Sequence, residues 1–365
     1  MVSDFDERFK AAARACTVTV LRGPRVTPAE ALARLSRACE EFGVGTSDWY
    51  GEDGGAVGLL ESRVAELLGH PAAVFLPTGT MAQQAVLRTW CDRRRSRRVA
   101  LPDLAHPLRH EADGPRLLHG FRFESLTTGP RVATADDLAA VPGELGAAMI
   151  ELPLREAGCL APGWDELAAL SAAARARGVP LHADGARIWE VAPNYPDHPL
   201  AELGGLFDSV YVSFYKGLGA FAGAAVASAE DVVAEVRTWR QRMGGTMFQM
   251  TPYALSGLVA LRDELPRMAD CVAWARAFAA AAARGLRTRP GVPQSTTFEL
   301  YADRDAEQVN ARLLAYLERE RVNLCGRFRP TEVPGFAVCE IAVAPPALDH
   351  DPQAIAEQVA GVALG

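Results

Sequence analysis

Ser209-Val210-Tyr211-Val212-Ser213-Phe214-Tyr215-Lys216-Gly217-Leu218-Gly219-Ala220 is an apolar, strand-like run that ends on a lysine and a glycine-rich turn. The chain holds only two lysines, Lys10 and Lys216; its other basic side chains, histidine aside, are arginine. Lys10 falls in a polar N-terminal segment that reads as a surface helix. Lys216 stands where burial would disfavour the ammonium form and lower its pKa. That suits an amine that forms a Schiff base with an aldehyde. A surface lysine at a strand end is the ordinary alternative, and this stretch alone leaves both readings open.

On both sides of this run, strand and helix signals alternate. Residues 72–76 read as a buried strand that enters Pro77-Thr78-Gly79-Thr80, followed by a helix with Met81, Ala85 and Val86 inward. Residues 99–101, 147–152, 179–183, 208–214 and 222–227 read as strands; 28–42, 57–67 and 164–177 read as helices, the last stopping at Gly178. Alternating βα units predict an α/β fold, a mostly parallel sheet with helices on both faces. Helices dominate 230–284, broken at Pro252 and Pro266, and the remainder mixes strands over 296–301 and 336–343 with a helix over 305–319. The predicted division is a large domain over 17–264 and a smaller α+β domain formed by 1–16 and 265–365.

At 365 residues with 49% apolar side chains, the chain can bury a sizeable core. The net charge of −7 argues against an electrostatic nucleic-acid binder. The basic cluster Arg93-Arg94-Arg95-Ser96-Arg97-Arg98 has no interleaved aromatics and reads as a solvated loop. The seven cysteines are scattered, with no metal-ligand spacing, as expected of reduced thiols in a cytoplasmic protein that holds no metal. The acidic N-terminus has no signal-peptide core, and no apolar run is long enough to span a bilayer.

Three features fall at strand ends: Thr78-Gly79-Thr80, Asp184 and Lys216. In open α/β sheets, ligands bind at the carboxyl ends of strands. A small-residue turn opening a helix offers N–H groups and a dipole to an anion. Together with a carboxylate and a lone amine, it is what pyridoxal 5′-phosphate requires for its phosphate, its ring nitrogen and its aldehyde. Taken singly, each has an ordinary alternative: Thr78 and Asp184 are both competent helix caps.

Five stretches carry a family resemblance: Asp48-Trp49-Tyr50-Gly51-Glu52-Asp53, Phe75-Leu76-Pro77-Thr78-Gly79-Thr80-Met81-Ala82, Leu181-His182-Ala183-Asp184-Gly185-Ala186-Arg187-Ile188-Trp189, Ser213 to Ala220, and Arg242-Met243-Gly244-Gly245-Thr246-Met247. In these stretches the chain resembles the threonine aldolase / β-eliminating lyase family of fold-type I pyridoxal phosphate enzymes. The resemblance implies that Lys216 holds the cofactor as a Schiff base, that Asp184 pairs with the ring nitrogen, and that Thr78, Gly79 and Thr80 bind phosphate. It implies that His106 stacks on the ring and that Arg187 takes the substrate carboxylate, for which a planar fork of donors is suited. Tyr50 and Leu154 fall at substrate-facing positions. A homodimer or homotetramer acting on a small amino acid is also implied.

Departures from the family pattern concentrate on the substrate side. Glu151-Leu152-Pro153-Leu154-Arg155 lacks the family histidine, Phe248 replaces an arginine, and Tyr215 replaces the serine before the lysine. A second carboxylate arginine is missing from the C-terminal domain unless Arg327 or Arg329 substitutes. The expected reaction is retro-aldol Cα–Cβ cleavage, or its reverse, on a β-hydroxy amino acid other than threonine. β-Elimination, aminotransferase or desulfurase chemistry on the same fold is the enzymatic alternative, and a catalytically silent binding protein is the alternative of another class. A nucleotide-binding reading of Gly217 to Gly223 needs a helix after the glycines, where a strand is expected instead.

Overall fold

The run at 209–213 folds as a strand buried at every residue, as expected for a central strand covered on both faces. The computed structural model describes residues 4–21, 26–46, 49–51 and 54–365. Two units are present, one spanning Val26–Pro266 and the other formed by Met1–Arg25 with Arg267–Gly365.

In the larger unit, a seven-stranded sheet is built from β1 (Ala72–Leu76), β2 (Arg98–Leu101), β3 (Arg122–Ser125), β4 (Ala147–Glu151), β5 (Leu181–Gly185), β6 (Ser209–Ser213) and β7 (Ala224–Ser228), in the spatial order β1-β7-β6-β5-β4-β2-β3. β7 runs antiparallel to both neighbours, and the other six strands share one direction. The carboxyl ends of those six strands therefore lie along one edge. β7 directly follows the glycine-rich turn after Lys216, so no helix is available there for a dinucleotide site.

The helix Gly79–Arg94 begins at the end of β1. Its Ala82, Ala85 and Val86 pack with Val74 and Leu76 of β1 and with Val232, Val233 and Val236 of the helix Glu230–Arg242. Each fully buried valine or leucine contributes roughly 1.5–3 kcal/mol, so the start of this helix is firmly placed. The arginine cluster at its far end is spent on ion pairs: Arg93 with Asp231 and Glu235, Arg94 with Glu144, Arg97 with Asp92, and Arg98 with Glu124. The helix Pro28–Glu41 starts on a reciprocal cap, Thr27 Oγ1 accepting from Glu30 N–H while the Glu30 carboxylate accepts from Thr27 N–H.

The second unit has a four-stranded antiparallel sheet, with Thr297–Ala302 and Ala337–Ala342 as the central pair. The helices Met268–Ala282, Ala306–Glu320 and Pro352–Leu364 contribute to its core. The C-terminal helix is not foreseen from the sequence. The N-terminal helix Asp4–Ala15 adds Phe9, Ala12 and Ala13 to this core, and Val18–Thr19 pairs in parallel with Val322–Asn323. That short ladder joins residues 17–21 to the C-terminal unit, whereas the sequence reading assigns them to the large one. A two-residue pairing across three hundred positions leaves no local signal.

Among the described residues, no helix is long and apolar enough to cross a membrane, and no cluster of three or more His, Cys, Asp or Glu could hold a metal ion.

Candidate active site

Gly79, Thr80, His106, Asp184 and Lys216 line one cleft at the carboxyl edge of the sheet, together with Gln83, Tyr211 and Tyr215. β1 delivers Gly79 and Thr80, β2 leads to His106, β5 holds Asp184, and Lys216 follows β6. Their positions follow from the shared strand direction.

Thr78 sits just outside the lining as the cap of its helix, its Oγ1 accepting from Met81 N–H at 3.2 Å while its carbonyl accepts from Ala82 N–H. The N–H groups of Gly79 and Thr80 are then the first-turn donors left to an outside acceptor. A side chain at position 79 would collide with the Tyr211 hydroxyl, so glycine is required for the backbone to lie this close to the cleft floor.

Asp184 is buried beside Glu151 on β4 and Tyr211 on β6, its register neighbours. Its Oδ1 accepts from Ala186 N–H at 3.1 Å. Burial pushes its carboxyl pKa up, while the charges of Lys216 and His106 hold it down. Burial pulls the Lys216 ammonium below the usual lysine range; the Asp184 carboxylate opposes this and the Arg187 guanidinium adds to it. Glu151 is pushed up to about 7, by burial and by Asp184 beside it.

His106 is anchored at two points. Its backbone N–H donates to Glu151 Oε2 at 3.0 Å, and its Nδ1 lies 3.1 Å from Glu111 Oε1. Gln84 Nε2 donates to the other oxygen of Glu111 at 2.8 Å. The hydrogen bond to Glu111 raises the His106 pKa and outweighs burial. With Nδ1–H given to Glu111, Nε2 is the ring nitrogen left for chemistry.

The other residues singled out in the sequence sit apart from the lining. Arg187 is an N-terminal flank of the helix Ile188–Val191, with Nε 3.8 Å from Glu190 Oε1 and a side chain only 14% exposed, so it is not a surface arginine. Leu154 is 2% exposed, its N–H donating to the Leu160 carbonyl, and its side chain is packed rather than presented to the cleft. Tyr50 is exposed, its ring edge-on to Phe248 at 5.4 Å. Within the loop quoted above, Asp48, Glu52 and Asp53 lie outside the described residues, as does Ser47. In the C-terminal unit, Arg327 pairs with Asp6.

Gln83, Tyr211, Glu111 and Gln84 were not singled out in the sequence. The first and last read as polar positions of an amphipathic helix, and Tyr211 as strand core. Packing of the helix Gly79–Arg94 on the sheet places Gln83 and Tyr211 in the cleft lining, while Gln84 and Glu111 bear on it only through His106.

A family model, beta-eliminating lyase, matches residues 27–301. The chain belongs to the beta-eliminating lyase family. Within reach of this lyase family lies the low specificity L-threonine aldolase of Escherichia coli O157:H7, 30% identical over 242 residues, 62% of this chain and 69% of that one. A solved structure from Listeria monocytogenes EGD-E, assigned as an L-allo-threonine aldolase, is 33% identical with a TM-score of 0.89 over 98% of this chain and 99% of that one. A structure from Exiguobacterium sp. 255-15, assigned as an aromatic amino acid beta-eliminating lyase/threonine aldolase, is 32% identical with a TM-score of 0.88, covering 97% and 99%. Serine palmitoyltransferase of Sphingomonas wittichii, 18% identical at a TM-score of 0.64 over 92% and 82%, shares the fold.

Lyases of this family use pyridoxal 5′-phosphate, and the cleft fits it. The Gly79 and Thr80 amides suit a phosphate, the buried Asp184 carboxylate suits a cationic ring nitrogen, and the Lys216 amine suits an aldehyde. Gln83 Nε2, fully buried against the cleft, has no hydrogen-bond partner among the described residues.

Proposed function

We propose that the protein is a pyridoxal phosphate-dependent aldolase that cleaves the Cα–Cβ bond of a β-hydroxy amino acid, or forms it in reverse. The convergence of Lys216, Asp184, His106 and the Gly79-Thr80 turn in one cleft, from strands far apart in sequence, carries this reading. Bound there, the cofactor supplies a sink for the electron pair released when the bond breaks. Burial disfavours the ammonium form of Lys216, which favours the nucleophilic amine. Asp184 keeps a positive charge on the ring nitrogen. Thr78 caps the helix, which frees Gly79 and Thr80 to hold phosphate. Arg187 is assigned to the substrate carboxylate.

His106 takes the β-hydroxyl proton at Nε2, and the buried Glu111 carboxylate stabilises the imidazolium that results. The family's second histidine is absent: its position is Leu154, whose side chain is packed away from the cleft. A hydroxyl that loses one buried partner loses roughly 1–3 kcal/mol, about ten- to a hundredfold in rate. A larger, less polar Cβ substituent regains contact with the ring of Tyr215, which lines the cleft. The expected result is a kcat/KM for L-threonine at least about tenfold below that for larger β-hydroxy amino acids. Measuring aldehyde release across a panel of such substrates checks this. Preference for threonine would refute the substrate assignment, and release of a keto acid instead of an aldehyde would refute aldol chemistry.

We infer a homodimer or homotetramer as the active unit. Trp49, Tyr50 and Phe248 form an aromatic cluster that is 59%, 43% and 53% exposed, with Trp49 stacked on Phe248 at 5.7 Å. Exposed aromatics in contact with one another suit a protein interface. Sedimentation velocity should show activity only in species of two or more chains, and a fully active monomer would refute this. The seven cysteines form no disulfide, which accords with a reducing compartment such as the cytoplasm.

A further inference from the structure

We propose that Gln83 is a positioning residue that donates a hydrogen bond from its side-chain amide to an oxygen of the bound cofactor, with His182, Ser209 and Trp90 fixing which end of the amide faces the cleft. The inference rests on the cofactor occupying the cleft as described above.

A chain of hydrogen bonds, part-buried at Trp90 and buried beyond it, leads to Gln83. Trp90 Nε1–H donates to Ser209 Oγ at 2.9 Å, Ser209 Oγ lies 2.9 Å from His182 Nδ1, and His182 Nε2 lies 2.7 Å from Gln83 Oε1. Ser209 and His182 are 0% exposed and Gln83 is 1% exposed. Indole N–H is only a donor, which gives the chain its direction. With one Ser209 lone pair taken by Trp90, the Ser209 hydroxyl proton has His182 Nδ1 as its acceptor.

His182 Nδ1 also lies 3.1 Å from the Ser209 carbonyl. Were Nδ1 to carry the proton toward that carbonyl, the Ser209 hydroxyl proton would be stranded in a fully buried site. With Nδ1 as acceptor, Nε2 carries the hydrogen and donates to Gln83 Oε1. Burial holds the His182 pKa down to about 3, so the ring stays neutral across the working range. The amide oxygen of Gln83 is thereby occupied, and its NH₂ group remains. That group has no partner among the described residues and borders the cleft. A buried NH₂ without an acceptor is costly, and an oxygen of the cofactor resolves the cost. Both the phosphate and the ring hydroxyl offer such an oxygen.

The test uses the full-length chain with Gln83→Met, Gln83→Glu, His182→Leu and His182→Gln. Equilibrium dialysis gives the affinity for pyridoxal phosphate and for pyridoxal, which lacks the phosphate. A pH titration of the visible band reports on the ring oxygen. Gln83→Met, close in shape, should weaken pyridoxal phosphate binding about fivefold, one hydrogen bond's worth. Gln83→Glu should weaken it further, because a carboxylate would face an anionic oxygen. His182→Leu should follow Gln83→Met, and His182→Gln, which restores an N–H toward Gln83, should recover most of the loss. If phosphate is the acceptor, Gln83→Met loses affinity for pyridoxal phosphate but not for pyridoxal. If the ring oxygen is the acceptor, both affinities fall and the pH midpoint of the visible band rises. Wild-type affinity and an unmoved midpoint in Gln83→Met overturn the inference, as does tighter binding in Gln83→Glu than in Gln83→Met. A wild-type chain that takes up no cofactor overturns the underlying functional reading and this inference with it.

Discussion

Lys216→Ala is expected to remove the yellow band of the purified protein and to lower turnover at least about a thousandfold, a loss of about 4 kcal/mol of transition-state stabilisation. Lys216 is the amine in the cleft, half-buried and with its pKa lowered by that burial. The only other lysine, Lys10, lies on the helix Asp4–Ala15 of the other unit, exposed to solvent. Borohydride reduction followed by peptide mapping therefore has two possible lysine targets, and the pyridoxyl label is expected on Lys216 alone. Label on Lys10, or on neither lysine, would remove the basis of the proposed chemistry. The fold should survive the substitution, since among the described residues the Lys216 side chain forms no hydrogen bond to the sheet, and its carbonyl, which accepts from Gly219 N–H, is unchanged.

Asp184→Asn is expected to keep the cofactor attached while turnover drops about a hundred- to a thousandfold, roughly 3–4 kcal/mol. The asparagine side-chain oxygen still accepts from Ala186 N–H, so any capping role survives the change. What is lost is the negative charge. A neutral amide does not hold a proton on the ring nitrogen, and Lys216 loses the carboxylate that opposes the fall in its pKa. The Lys216 pKa should then fall further. Steady-state kinetics alongside the intensity of the visible band separate the two roles. Near-normal turnover would reduce Asp184 to a cap.

The pieces legible in the sequence were those with a local signature. Strand β6 declares itself by an unbroken apolar run, and the Thr78-Gly79-Thr80 turn by its small residues between strand and helix. Asp184 and Lys216 were found the same way, as chemistry at strand ends. Glu111 and Gln83 carry no such mark. Gln83 becomes a site residue only because its helix packs over the sheet, and Glu111 only because the fold brings it within hydrogen-bond distance of His106 and Gln84, which is tertiary information. Leu154 shows the converse: its position along the chain suggests a substrate wall, yet its side chain is packed away at 2% exposure. The pairing of Val18–Thr19 with Val322–Asn323 was likewise beyond any local pattern.

The shared strand direction of the large unit also bears on the order in which the molecule acquires its parts. Gly79 and Lys216 lie in the same cleft but far apart along the chain, and the pairing of β1 with β7, the neighbour of β6, that brings their strands together is non-local. Closing such distant loops costs entropy before any contact rewards it, so contacts of this kind form slowly. A helix such as Gly79–Arg94 can begin to form early, but an isolated turn of it presents its amides to nothing. The cleft exists only once four separated strand ends are in register. Cofactor capture is therefore a late event in the life of the newly made chain, one that reads out a completed sheet rather than directing its assembly.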